Sequence, residues 1–93
     1  MPTGSLTDRS GSITTGGTAQ TVAAANWQRT YFFFMNLSDT DMSLDFGASA
    51  TADTALLLVS KGSVEFVAPG FVPGGLVSVL CASTGKKFAC KEG

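Results

Sequence analysis

Few side chains in this 93-residue chain could do acid–base chemistry, because it contains no histidine. Without histidine the chain lacks the commonest general base and both the Ser-His-Asp and the Cys-His nucleophile systems. Acid–base catalysis would fall to its seven Asp and Glu residues. A glycosidase-like pair needs two carboxyl groups about 5 to 10 Å apart across a cleft, and no spacing in the sequence indicates one. We therefore predict no enzymatic activity, no cofactor and no small-molecule substrate.

Three aspartates, Asp39, Asp41 and Asp45, form the nearest approach to a metal-binding motif. A calcium loop places oxygen ligands at alternate positions, with a glycine at the sixth and a glutamate at the twelfth. Here Met42 and Leu44 alternate with the aspartates as an apolar strand face does, and no such glutamate follows. We interpret the stretch as a turn followed by a half-solvated strand, and we predict no metal site.

The chain has two cysteines, Cys81 and Cys90. Two thiolates alone do not complete the tetrahedral ligand set of zinc. They are also too few for the disulfide framework of a small secreted domain. A single disulfide and two buried free thiols both remain open, and we favour the free thiols, since unpaired cysteines are among the most buried residues.

Five residues are candidates for contact with another protein: Leu6, Arg9, Ile13, Trp27 and Phe71. The first three lie in a Gly/Ser/Thr-rich N-terminal segment and could anchor that segment to a partner. Arg9 could pair with a carboxylate of the partner. Trp27 and Phe71 lie beside turns, where core packing and a contact surface are equally open interpretations. Tryptophan is enriched at interfaces, because it buries much area with few torsions to freeze.

The composition indicates a protein that is partly covered by another. Charged residues make up 14% of the chain, against a usual share of about 25%, and apolar residues make up 44%. The net charge is −1 and the pI about 5.0, so no positive excess is present to neutralise nucleic-acid phosphates. We predict no nucleic-acid partner, and we expect both arginines, Arg9 and Arg29, to be solvated.

Targeting signals are not evident in the sequence. No apolar run approaches the 18 or more residues of a membrane span, and the first residues lack the charged-then-apolar order of a signal peptide. We therefore expect synthesis in a cytoplasm and no membrane partner.

The chain divides into a flexible arm, residues 1–20, and one domain, residues 21–93. The arm has too few apolar residues to offset the entropy of ordering it. In the domain no helical period persists for ten residues. Only "TVAAANW" leaves a helical turn and an extended segment equally open.

The strands are short and separated by turn chemistry. "NLSDTD" predicts a turn at Leu37 to Thr40, and "DMSLDFG" alternates as a strand with one solvated face. "ALLLVS" and "SVEFVA" predict a hairpin around Lys61-Gly62. "LVSVLCA" predicts another strand, and the lysines of "KKFACK" are typical of an edge strand. Six or seven strands at spacings of about ten residues predict an all-β fold, a small antiparallel β-sandwich or a jelly-roll-like barrel.

The stretch "TYFFFMN", residues 30–36, is the strongest apolar signal. In a strand Phe32 and Phe34 point to one side, and Tyr31, Phe33 and Met35 point to the other. One face can meet the opposing sheet. The other must be covered by the arm, by a loop or by a neighbouring subunit, and we favour the subunit.

The order of several weak patterns resembles a group of small proteins encoded among the structural genes of tailed bacteriophages and prophages. The resembling elements are "GSITTGGTAQTVAAAN", the bulky strand leading to "NLSDTDMSLDFGASAT", the turn before "SVEF", and "VPGGLVSVLCASTGKKFACKEG", spanning about residues 11–93. The chain differs in having Leu37 after the asparagine, where proline is frequent in that group, and in its bulkier "YFFFM" strand.

The resemblance implies a virion component without catalysis, a capsid cement or decoration protein on the outside of the head. Its partners would be the major capsid protein and itself, as a homodimer or homotrimer. The alternative is the base or attachment module of a head fibre or tail component, able to bind carbohydrate. A mobile arm that orders on a shell through many repeated contacts agrees with the first interpretation.

Overall fold

The computed structural model describes residues 6–47 and 56–93, and in these it contains nine β-strands and no helix. The strands are β1 (Thr7–Asp8), β2 (Gly11–Ser12), β3 (Gln20–Ala23), β4 (Tyr31–Asn36), β5 (Met42–Phe46), β6 (Leu56–Leu58), β7 (Ser63–Val67), β8 (Val77–Cys81) and β9 (Lys87–Glu92). The prediction of an all-β sandwich is confirmed. The strand count is higher than expected, because the arm supplies β1 and β2 and the ambiguous "TVAAANW" stretch is extended as β3.

Two antiparallel sheets make up the fold. Sheet A has the order β1-β9-β4-β7, and β2 also pairs with β9. Sheet B has the order β3-β8-β5-β6. Strands that are neighbours in the chain therefore often lie in opposite sheets, and loops cross from one sheet to the other.

The core lies between the sheets and is built by alternation along the strands. On β4, Phe32 and Phe34 are fully buried, and Phe34 stacks on Phe88 of β9 with ring centroids 5.1 Å apart. Sheet B contributes its own inward faces, chiefly those of β5 and β8. The buried apolar residues are Ile13, Ala23, Phe32, Phe34, Met42, Leu44, Leu58, Val77, Val79, Cys81, Phe88 and Cys90.

The outer face of β4 is only partly covered. Tyr31, Phe33 and Met35 point away from the core and are half-buried. The two-sided apolar strand inferred from "TYFFFMN" is thus present, with one face sealed between the sheets and the other lying on the surface of sheet A.

The predicted turn after β4 depends on a buried amide. Asn36 Nδ2 donates to the carbonyl oxygens of Thr40 and Leu58, at 2.7 and 3.0 Å. Its Oδ1 accepts from the backbone N–H and the hydroxyl of Ser38. Asn36 therefore shapes the 37–40 turn and also ties β4 to β6 of the opposite sheet.

The predicted hairpin of "ALLLVS" with "SVEFVA" is wrong. β6 pairs with β5 in sheet B, whereas β7 pairs with β4 in sheet A. Lys61, at φ 66°, lies in a connection that crosses between the sheets rather than in a two-residue hairpin loop. Leu56 and Leu57 are exposed, because β6 is an edge strand and not the buried one expected.

The prediction that "KKFACK" is an edge strand is also wrong. β9 lies inside sheet A, between β4 on one side and β1 and β2 on the other. The short strands of the N-terminal segment occupy the side that the lysines were expected to protect. The side chain of Ile13 from this segment lies in the core, so the segment contributes to the domain from residue 6 onward.

Both cysteines are free and buried, Cys81 in sheet B and Cys90 in sheet A. Desolvation by burial, reinforced by the nearby Glu92 carboxylate, raises the pKa of Cys90 from 9.0 to about 12. The thiolate is the reactive form of cysteine, so the folded protein holds Cys90 in an unreactive state.

We predict that the native protein resists thiol-specific labelling at pH 8.5, and that both cysteines react once guanidinium unfolds it. Because the folded pKa of Cys90 is the higher one, its contribution to stability is complete below pH 9.0 and is lost as the pH rises toward about 12. Mass spectrometry measures how far the cysteines are labelled in the native and in the unfolded protein. A Ser63→Cys variant, whose new thiol is exposed on β7, is the positive control. Rapid labelling of Cys90 in the native protein would contradict the prediction.

Candidate functional site

A shallow apolar cleft of about 440 Å³ lies between Trp27 and Phe71. Trp27 is 81% exposed and Phe71 79% exposed, the two highest values among the exposed large apolar side chains. The floor is formed by the end of β5 and by the glycines that precede β8. The lining residues are Trp27, Phe46, Gly47, Phe71, Val72, Pro73, Gly74 and Gly75.

Trp27 is presented by a tight turn between β3 and β4. The Arg29 N–H donates to the Asn26 carbonyl at 3.1 Å, and the Gln28 N–H donates to Asn26 Oδ1 at 3.1 Å. The Asn26 N–H donates in turn to the Gly74 carbonyl at 2.7 Å, which joins this turn to the loop before β8. A Cβ at Gly74 would lie 2.6 Å from the Trp27 ring, so only glycine permits this close approach.

A series of edge-to-face aromatic contacts connects Phe71 to the core. Phe32 contacts Phe46 with centroids 5.8 Å apart, Phe46 contacts Phe66 at 5.4 Å, and Phe66 contacts Phe71 at 6.3 Å. Edge-to-face pairs at these separations are favourable beyond the area they bury. Phe71 therefore lies exposed on a support of aromatic rings that begins in the core.

A buried guanidinium holds the two loops of the cleft together. The side chain of Arg29 is 0% exposed. Its Nη2 donates to the Ala24 carbonyl at 2.9 Å, and its Nη1 donates to the carbonyls of Pro73 and Gly75. These acceptors belong to the loop that carries Trp27 and the loop that carries Phe71. The expectation that Arg29 is solvated is wrong, because three backbone carbonyls and one carboxylate replace its water.

The carboxylate is Glu92, which two arginines share. Arg29 Nε donates to Glu92 Oε1 at 2.8 Å, and Arg9 Nε donates to Oε2 at 2.7 Å. Burial alone would raise the pKa of Glu92, but the hydrogen bonds and charges of Arg29 and Arg9 outweigh it and lower that pKa. Arg29 also lies over the Phe32 ring, 5.4 Å from its centroid. The ion pair therefore links the arm, β9 and both loops of the cleft.

The structure places the five sequence-predicted contact residues in different settings. It brings Trp27 and Phe71 together on one cleft. Arg9 pairs within the chain, to Glu92, and its side chain is 45% exposed. Ile13 is 1% exposed and packs in the core, so it has no surface left for contact with another protein. Leu6 is exposed and lies beside Gly93.

The aspartates of the calcium-like stretch do not form a metal site. Asp39 pairs with Lys86, with Oδ1 and Nζ 2.8 Å apart. In residues 6–47 and 56–93, no three His, Cys, Asp or Glu side chains come together as metal ligands would. That part of the chain also contains no helix long and apolar enough to cross a membrane.

The cleft presents mostly apolar surface. Its lining contains no charged side chain and no side-chain hydroxyl or amide, and the indole N–H of Trp27 is its polar side-chain group. A sugar would therefore find stacking surfaces with few polar side-chain groups for its hydroxyls. An apolar side chain or apolar loop of a protein matches such a lining best.

Comparison of the chain with protein-family models, with curated proteins and with solved structures finds no match. The case for a function therefore rests on this cleft and on the surfaces of the two sheets.

We predict that Glu92→Gln lowers the free energy of unfolding by about 3–5 kcal/mol, because it leaves the buried Arg29 without a counter-charge. Urea denaturation followed by far-UV circular dichroism measures the loss. The matched control is Asp39→Asn, which removes a carboxylate from the exposed Lys86 pair and should leave stability close to that of the wild type. A Glu92→Gln variant as stable as the control would contradict the role given to the ion pair.

We also predict an acid-sensitive stability. The pKa of Glu92 is lower in the folded protein than its ordinary value of 4.5. Its contribution is therefore complete above pH 4.5 and is lost as the pH falls through the folded pKa. The free energy of unfolding of the wild type should decrease on acidification below pH 4.5 more steeply than that of Glu92→Gln. Parallel curves for the two proteins would show that Glu92 carries no such linkage.

Proposed function

We propose that this chain is a non-enzymatic structural protein that binds a partner protein through the Trp27–Phe71 cleft, in the manner of a bacteriophage capsid cement or decoration protein. The observation that carries the proposal is the pair of exposed aromatic side chains held in one apolar cleft by the buried Arg29. An enzyme site would need titratable groups in the cleft, whereas a docking site needs rigid apolar anchors.

The partner we propose is the major capsid protein, on the outer surface of a virion head. A Trp and a Phe side chain together bury roughly 300–400 Å², which gives about 8–10 kcal/mol before the cost of association is subtracted. That cost is roughly 4–15 kcal/mol, so one cleft binds weakly by itself. A shell presents the same docking element many times, and linked copies of a weak binder gain strength from such repetition.

The low charge content supports the same proposal. A protein with 14% charged residues has less polar surface than usual to keep it apart from other proteins. Exposed apolar residues also occur away from the cleft, at Leu57 and Val59 near β6. Both features are expected of a subunit that functions within an assembly.

The alternative is the base or attachment module of a fibre or tail component, able to bind carbohydrate. Its specific support is the exposed Trp27 ring, since aromatic rings stack on sugars. The lining of the cleft supplies no polar side chain beside that ring, which is why we prefer a protein partner.

We predict that the double variant Trp27→Ala/Phe71→Ala loses at least about 100-fold in affinity for purified heads of the phage that encodes this chain. Both side chains are mostly exposed, so the variant should unfold at nearly the wild-type temperature. Co-sedimentation with heads measures the affinity, and the temperature at which heads release DNA measures cementing. The control, Leu37→Ala, removes an exposed apolar side chain from the turn after β4, away from the cleft.

Unchanged head binding by the double variant would overturn the cleft as the docking site. Wild-type protein that sediments with tails and leaves heads unbound would favour the alternative. Heads that bind the protein without becoming more resistant to heat would contradict cementing.

A further inference from the structure

The outer face of sheet A carries side chains in rows across the strands. The register pairs Phe33 of β4 with Lys91 of β9 on one side and with Glu65 of β7 on the other. Met35 is flanked in the same way by Ala89 and Ser63. The three central side chains, Tyr31, Phe33 and Met35, form a half-buried apolar column down the middle of this face.

The charges on this face are arranged with opposite signs on opposite sides of the column. Lys91 lies on the β9 side and Glu65 on the β7 side, both in the row of Phe33. Lys91 also pairs with Asp8 of β1 at 3.2 Å, and the Tyr31 hydroxyl donates to Glu65 at 2.7 Å. The charge next to Phe33 is therefore positive on the β9 side, with Asp8 beyond it, and negative on the β7 side.

The end row is apolar. Tyr31 pairs with Gly93 through two backbone hydrogen bonds and with Val67 of β7. Val67 and Leu6, at opposite ends of this row, are each 51% exposed, and Leu6 lies beside Gly93. The β9 side of this row thus presents a glycine, where the β7 side presents a valine.

We propose that this face binds the same face of a second copy of the chain, around a two-fold axis that passes over Phe33 and lies about 15° from the direction of β4. Such an axis exchanges the two sides of the column. Each residue on β9 of one copy therefore faces the residue of the same row on β7 of the other copy. Lys91 then faces the partner subunit's Glu65, and Glu65 faces the partner subunit's Lys91. The contact is self-complementary, as a two-fold interface must be.

The other rows fit the same arrangement. Ala89 faces the partner's Ser63, two small residues that leave room for the paired Met35 side chains. Gly93 faces the partner's Val67, and the Leu6 side chain beside Gly93 offers the valine an apolar contact. None of these three rows brings like charges together.

Sheet geometry permits this arrangement. Packed sheets lie about 10 Å apart, with their strands rotated by about 30°. One strand away from the axis, about 4.8 Å, that rotation displaces a residue by only about 2–3 Å. The long side chains of Lys91 and Glu65 span such a displacement.

The contact area predicts a weak dimer. Three overlapping strands, β9, β4 and β7, and about five residues along each give a contact face of roughly 14 by 17 Å, or about 240 Å² in projection. A standard stable interface takes roughly 800 Å² of accessible surface from each partner. Dimers should therefore appear at high concentration. The face excludes the Trp27–Phe71 cleft, so the inference stands apart from the proposed capsid partner and can fail without it.

A charge-reversal experiment tests the proposal. Sedimentation velocity of the full chain should show a reversible monomer–dimer equilibrium in the micromolar to millimolar range. Glu65→Lys alone places two lysines opposite two lysines, and Lys91→Glu alone places two glutamates opposite two glutamates. Each variant should raise the dimer dissociation constant at least about tenfold. An equimolar mixture of the two variants should dimerise again, because every charged pair across the axis is then complementary.

The matched control is Asp41→Lys, the same change of charge at an exposed position preceding β5 of sheet B, which should dimerise as the wild type does. Circular dichroism establishes that each variant is folded. Phe33→Thr, which keeps a strand-favouring residue and removes the ring on the axis, should also weaken the dimer at least about tenfold. A wild type that stays monomeric at millimolar concentration overturns the proposal. So does a dimer indifferent to both Glu65→Lys and Phe33→Thr, or a mixture that stays monomeric although both variants are folded.

Discussion

The buried ion pair of Arg29 with Glu92 is the interaction on which the functional surface depends. A guanidinium with no exposed surface is stable only if its donors are satisfied, and here they are satisfied by Glu92 and by carbonyls of two loops far apart in sequence. The requirement to solvate one charge thus fixes the distance between those loops. Because one loop carries Trp27 and the other Phe71, two exposed aromatic side chains become one cleft. Arg9 binds the second carboxylate oxygen, so the N-terminal segment is tied to the same centre.

The exposed apolar surface of the molecule has two parts that differ in character. The Trp27–Phe71 cleft lacks charge and presents rigid aromatic anchors, which suits an apolar element of another protein. The outer face of sheet A mixes an apolar column with opposite charges placed on either side of Phe33, which suits its own copy. The proposal of a cement protein rests on the cleft, with the bacteriophage resemblance as its starting point, and it does not depend on the pairing of sheet A.

Much of the fold followed from local patterns, because alternation and turn chemistry act over a few residues. The inward face of Met42 and Leu44 and the turn after Asn36 were predicted for the reasons the structure shows, whereas Ser43, expected on a solvated face, is buried. Strand pairing was predicted less well, since two neighbouring strands joined by a turn look alike in sequence whether they pair or cross between sheets. Trp27 and Phe71 were chosen as contact candidates for their positions beside turns, but nothing in the sequence indicated that they share a cleft. The role of Arg29 was missed, because its partners are backbone carbonyls and a glutamate 63 residues away, and no local signal marks them.

The central claim is that the Arg29 guanidinium is sealed inside the protein and joins the loops of the cleft. The chain has two arginines, so Arg9, whose side chain is 45% exposed, serves as an internal reference. Exchange of the arginine Nε–H protons with water, measured by NMR at neutral pH, tests the claim directly. The account predicts that the Arg29 proton exchanges at least about 100-fold more slowly than that of Arg9, with a nuclear Overhauser contact between the Trp27 ring and the Gly74 α-protons. Equal exchange rates for the two arginines, without that contact, would contradict it.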